Sequence, residues 1–155
     1  MTEVQRIVDQ YDRTMNGDAW HGDPVWKILE GITSETAARK PIPAAHSIWE
    51  LIAHMTYWEA EVCRRLRDLP ARPEAELNFP AAPAATAQNW DSALAEFRNS
   101  NTEFRYALSQ LEDSQLDQPL SGPTKTIYVE AHGVIQHNLY PAGQIAILKR
   151  NSEQQ

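Results

Sequence analysis

The sequence predicts an all-α fold, a four-helix bundle with one long crossover connection. Three observations predict it. Four segments repeat apolar residues at helical spacing, no segment alternates as a half-buried strand would, and the breaks between segments are rich in Pro and Gly. The 155 residues suit a single domain, 1–155, with one core.

The first segment places Val4, Ile7, Val8, Tyr11 and Met15 on one face, and Asn16-Gly17-Asp18 stops it. Pro24 then suits the start of a short helix carrying Ile28 and Leu29, before Pro41-Ile42-Pro43 breaks the chain again. The second main helix is predicted to start at Ser47. Ser47-x-x-Glu50 is a capping box, in which the hydroxyl takes an orphan backbone N–H and the carboxylate reaches back. Ile48, Leu51, Ile52, Met55, Val62, Leu66 and Leu69 supply its apolar face, and Pro70 and Pro73 end it. The Pro- and Ala-rich stretch 70–83 reads as the long surface connection. The third helix has the cleanest stripe: Trp90, Leu94, Phe97, Asn101, Phe104, Leu108 and Leu111. Only Asn101 interrupts it, as a packed polar residue or one at the stripe edge. After Gln118-Pro119 and Ser121-Gly122-Pro123, the last helix starts between Thr124 and Thr126 and runs to about Arg150. Ile127, Val134, His137, Pro141, Ile145 and Leu148 share a face there. Lys149 and Arg150 suit the negative pole of the helix dipole.

Composition narrows the function. The net charge is −7 and no basic run is present, so a phosphate-binding surface for nucleic acid has no support. Cys63 is the single cysteine, which excludes a disulfide within the chain. The segment Met1 to Arg6 lacks the basic flank and apolar core of a signal peptide, and no apolar run approaches the roughly 20 residues that span a bilayer. The expected location is the cytoplasm, with neither a membrane nor nucleic acid as partner.

Two histidines carry the chemical interest. His54 lies beside the apolar face of the second main helix, next to Leu51 and Trp58, and His137 lies within the stripe of the fourth. Facing helices would bring both imidazoles to one point, and neutral imidazole is a good ligand for zinc, nickel, copper or iron. His54 and His137 are therefore the candidate metal ligands.

The stretch Gly133-Val134-Ile135-Gln136-His137-Asn138-Leu139-Tyr140-Pro141-Ala142-Gly143-Gln144 resembles the last helix of the DinB/YfiT-like family of metal-binding four-helix bundles. The family pattern there is H-x-x-x-H-A-G-Q, and both histidines bind a divalent metal. The stretch from His46 to Glu59 resembles the family's second helix, where the first metal histidine comes shortly before a Trp-Glu pair. That pair is Trp58-Glu59 here, which makes His54 the match. Ala19-Trp20-His21-Gly22 and Cys63 to Leu66 fit one branch of the family. The resemblance implies a divalent transition metal, zinc or nickel, a homodimer and a small-molecule or thiol ligand.

The departure is Pro141, at the position of the family's second histidine in this helix. Proline offers no side-chain ligand, and it lacks the N–H that would bond the His137 carbonyl. In a model helix such a proline costs roughly 3 kcal/mol, so a kink or loosening is expected beside His137. Three outcomes stay open: metal held with a substitute ligand, an empty polar pocket, or a purely structural role. The candidate substitutes are His21, Glu50, Tyr140, Gln144 and solvent. The expected function is a DinB-like protein with a degenerate divalent-metal site between the second and fourth main helices. The alternative is a metal-dependent thiol S-transferase or hydrolase-like enzyme.

The remaining residues read more plainly. His46 is expected at a helix cap or the surface, and His132 on a different face from His137. Cys63 reads as a buried small hydrophobe, although Arg64 and Arg65 would lower its pKa if it were exposed. Ser47 has no histidine at a nucleophile spacing. Gly143 is expected to let another helix approach closely, and Gln144 to hydrogen-bond a ligand histidine or bridge helices.

Overall fold

The computed structural model describes residues 1–70, 72, 74–120 and 125–152. The expected breaks at Pro73 and Ser121-Gly122-Pro123, and a helix start at Thr124, lie outside those residues. Helix α1 spans Glu3–Met15, α2 Val25–Leu29, α3 Ser34–Ala38, α4 Ile48–Leu66, α5 Glu74–Leu77, α6 Ala87–Ser109 and α7 Ile127–Ser152. Among the described residues there is no β-strand beyond an isolated bridge between Pro119 and Thr126. The four long helices form the bundle. α4 packs on α6 and α7, and α1 packs on the same two, so α1 and α4 lie across the bundle from each other. No helix of the described residues is long and apolar enough to cross a membrane.

Capping fixes where the helices begin. Thr2 and Gln5 form a capping box on α1, and Asp113 accepts the N–H groups of Glu3 and Val4 at 2.9 Å each. That carboxylate satisfies two orphan donors at the positive pole of the helix. Val4, Ile7, Tyr11 and Met15 face the core and Asn16 ends the helix, as the pattern predicts. Pro24 precedes α2 as expected, while α3, capped by Thr33, is too short to register as a periodic segment.

Helix α4 opens with the predicted box of Ser47 and Glu50 but stops earlier than the apolar pattern suggests. Asp68 adopts a left-handed φ of 53°. Its N–H donates to the Arg65 carbonyl at 3.1 Å, and the Leu69 N–H donates to that of Arg64 at 3.0 Å. This is a Schellman ending with aspartate in the place glycine usually takes. Leu69 is therefore exposed and contributes nothing to the apolar face.

The α4–α6 connection is the expected long crossover, with α5 inside it. In α6, Trp90, Phe97, Asn101, Phe104 and Leu108 are buried, and Leu94 and Leu111 pack at the margin. Helix α7 runs as a single helix through Pro141. Buried Val134, Asn138, Ala142 and Ile145 on both sides of the proline hold the helix to the core, and such packing outweighs local propensity.

Candidate metal centre

The packing of α4 on α7 brings His54 and His137 into direct contact. Their Nε2 atoms are 2.8 Å apart and their ring centroids 4.6 Å. A second contact determines which nitrogen carries the proton. Trp58 Nε1, which can only donate, lies 2.9 Å from Oδ1 of Asn78. His54 Nδ1 lies 2.6 Å from the same oxygen and 3.2 Å from the Asn78 carbonyl. Nδ1 of His54 must then be the N–H, and its Nε2 carries the lone pair. The bond to His137 is therefore donated by Nε2–H of His137. This leaves Nδ1 of His137 unprotonated, buried and without a partner.

Both rings are held neutral. Burial lowers the pKa of His54 despite the opposing bonds to Asn78. Burial also lowers that of His137, and the neighbouring His54 adds to the effect. The crossover supplies one more contact. Phe79 stacks on His54 at 4.0 Å with the rings 7° from parallel, and on His46 at 3.8 Å and 4°. His46 is thus part of the wall of the site as well as the residue before the α4 cap.

A sequence model of the DinB superfamily matches residues 19–145. The chain belongs to the DinB superfamily. No curated protein and no solved structure matches it. The family match takes in His54, His137 and Pro141.

The donor set of the DinB site suits a metal ion in part. Two nitrogens on one tetrahedral ion sit about 3.3 Å apart at the usual Zn–N length, so the pair would open by about half an ångström and the His137 proton would pass from Nε2 to its free Nδ1. Among the described residues, no group of three or more His, Cys, Asp or Glu side chains is placed to hold a metal ion. The candidate substitutes divide. His21 is exposed in the turn before α2 and lines neither cavity at the pair. Glu50 is committed to its cap: it accepts the Ser47 N–H at 2.8 Å and pairs with Lys40 at 2.8 Å. Burial pushes its pKa up, but Lys40, the Ser47 backbone and His46 outweigh this and hold it below the ordinary range. Tyr140 and Gln144 do line a cavity of about 310 Å3 beside the pair, together with His46, Phe79 and Pro141. His137 also forms part of a second cavity, of about 290 Å3, walled by Trp58, Val62 and Val134.

Other expectations resolve locally. His132 packs on Tyr128 at 4.5 Å, away from the pair. Cys63 is buried, and burial pushes its thiol up to about 12. Arg64 and Arg65 do not activate it: Arg64 bonds the Pro70 carbonyl and Arg65 the Glu130 carboxylate. Gly143 does not serve a close approach of helices within the chain, because a Cβ there would meet nothing within 4 Å. It sits on the exposed side of α7.

Sequence reasoning also missed the role of Glu59, which the pattern offered only as half of the Trp-Glu pair. It is fully buried at the centre of the bundle. Oε1 accepts from Tyr11 Oη at 2.8 Å and Asn138 Nδ2 at 2.6 Å. Oε2 accepts from Ser100 Oγ at 2.7 Å and Asn101 Nδ2 at 2.6 Å. Asn101 accepts in turn from Trp26 Nε1 at 2.9 Å, which explains the break in the α6 stripe. Burial raises the Glu59 pKa, and the four donors oppose it without cancelling it.

Proposed function

We propose that this DinB protein binds a divalent transition metal, zinc or nickel, at a reduced two-histidine site between α4 and α7. His54 and His137 are the protein ligands, and solvent or a small-molecule donor fills the other positions. The observation that carries the reading is the 2.8 Å approach of the two Nε2 atoms, with His54 already in the tautomer that ligation requires. A bound ion would supply a Lewis acid that lowers the pKa of a coordinated thiol or water. The chain's own residues orient the His54 ring, keep both imidazoles neutral and line the cavity beside them.

The test is metal titration of the tag-free protein with His54→Ala and Pro141→His beside it. His54→Ala should abolish specific binding. Pro141→His adds a third nitrogen on the His137 face and should tighten binding by more than about tenfold, since three protein ligands are the usual open-site complement. Binding unchanged in His54→Ala would remove the reading.

The alternative, a metal-dependent thiol S-transferase or hydrolase, draws on the cavity of about 310 Å3 beside the pair, which has room for a small molecule. Turnover of a thiol with an electrophile, lost in His54→Ala, would establish it. A homodimer is proposed along the exposed stripe of Tyr140, Gly143 and Ile147 on α7. Light scattering of Ile147→Asp against the parent chain tests that pairing, and a parent chain that is already monomeric refutes it.

A further inference from the structure

We infer that Asn78, in the crossover, is the positioning residue of the histidine pair, holding His54 with its Nδ1–H turned away and its Nε2 lone pair presented to His137. The metal consequence rests on the two-histidine reading above, whereas the proton position on His54 stands by itself.

The indole N–H of Trp58 has no acceptor capacity, so the group it meets at 2.9 Å must be the amide oxygen of Asn78. That fixes the amide. Its Nδ2 turns the other way, 3.3 Å from the Glu74 carboxylate. With the oxygen fixed, His54 Nδ1 at 2.6 Å has to donate. The Asn78 backbone carbonyl, 3.2 Å from the same nitrogen, reinforces this polarity. Phe79, the next residue, stacks flat on the His54 ring and stops it from turning over. Two adjacent crossover residues thus set the proton position and the plane of a side chain on α4. A ligating imidazole is usually oriented by a partner on its other nitrogen. His54 has such a partner, and Nδ1 of His137 has none.

The experiment compares the parent chain with Asn78→Ala and Asn78→Asp, both at a partly exposed position outside the core. Two quantities are read: the histidine 15N spectrum of the metal-free protein at pH 8, and Ni2+ affinity by competition titration. The parent chain should show His54 as the Nδ1–H form. Asn78→Ala should give mixed tautomers and weaken Ni2+ binding by about 10- to 100-fold, the usual cost of losing such a partner. Asn78→Asp restores an acceptor and should recover both. A folded Asn78→Ala protein with an unchanged His54 spectrum would overturn the inference. So would a failure of Asn78→Asp to recover the Nδ1–H form. If the parent chain binds no Ni2+ yet Asn78→Ala redistributes the His54 proton, the positioning role stands and the two-histidine metal reading falls.

Discussion

Two polar clusters sit within one helical bundle, and they differ in their access to open space. Around Glu59, both carboxylate oxygens are filled by four donors from α1, α6 and α7, and the side chain has no exposed surface; Asn138 Oδ1 has no partner there, but it is sealed in the core with no exposed surface of its own. Around His54 and His137, one ring nitrogen is orphaned and two cavities open on the rings. A buried polar group that is fully satisfied rigidifies the fold. One that is left unsatisfied beside open space has capacity for something outside the chain. The first cluster is architecture, and the second is where a ligand would go.

The sharpest way to break this contrast is to remove one member of each cluster. His54→Ala should cost more than about 100-fold in metal affinity, since a single imidazole makes no specific site, while leaving the melting temperature close to the parent's. Glu59→Ala should do the reverse. It strands four buried donors and should destabilise the fold by about 3 kcal/mol or more in urea unfolding. Metal affinity in the surviving folded fraction should be retained. Equal effects of the two changes on stability would erase the distinction.

A pH series sharpens it further. The folded pKa of Glu59 lies above the ordinary carboxylate value of 4.5, so across the window from 4.5 upward the native state holds more protons than the unfolded one. Stability from this group is therefore present at low pH and declines as pH rises through the folded pKa. Glu59→Gln has no such proton to lose. Its stability deficit against the parent chain should shrink as pH increases, measured by urea midpoints from pH 4 to 8. A deficit that grows with pH would reverse the assignment. Smaller still is the glycine effect. Gly143 has neither a left-handed φ nor a neighbour for a Cβ, so Gly143→Ala should stabilise the helix by about 1 kcal/mol. A calorimetric scan should show this as a rise of about 2–4 °C.

Much of the architecture is legible locally. Ser47-x-x-Glu50 marks the start of α4, the stripe from Trp90 to Leu108 marks α6, and the faces of α1 and α7 follow from spacing alone. Leu69 misleads because the stop lies in the backbone at Asp68, which no apolar pattern reports. His54 and His137 are legible because His54 borders an apolar face and His137 lies within one. The Glu59 cluster is not, because its partners lie 41 to 79 residues away along the chain. Asn101 was the one local trace of it. Asn78 and Phe79 were hidden for another reason: they sit in a Pro- and Ala-rich stretch with no period to read, and their importance arises only when the crossover folds over α4.

The mutual hydrogen bond of His54 and His137 has a consequence for how the protein is made. Small metal-organised domains stay unfolded until their ion arrives, so their production follows the ion supply. Here each imidazole already serves as the other's partner, and the bundle closes over a Glu59 carboxylate with four donors elsewhere in its interior. If the pair takes a metal as proposed, folding of the bundle would therefore not wait for the ion. On the two-histidine reading, a chelator should strip the site without lowering helical content, and loading would be a step on a finished protein, separate from its synthesis.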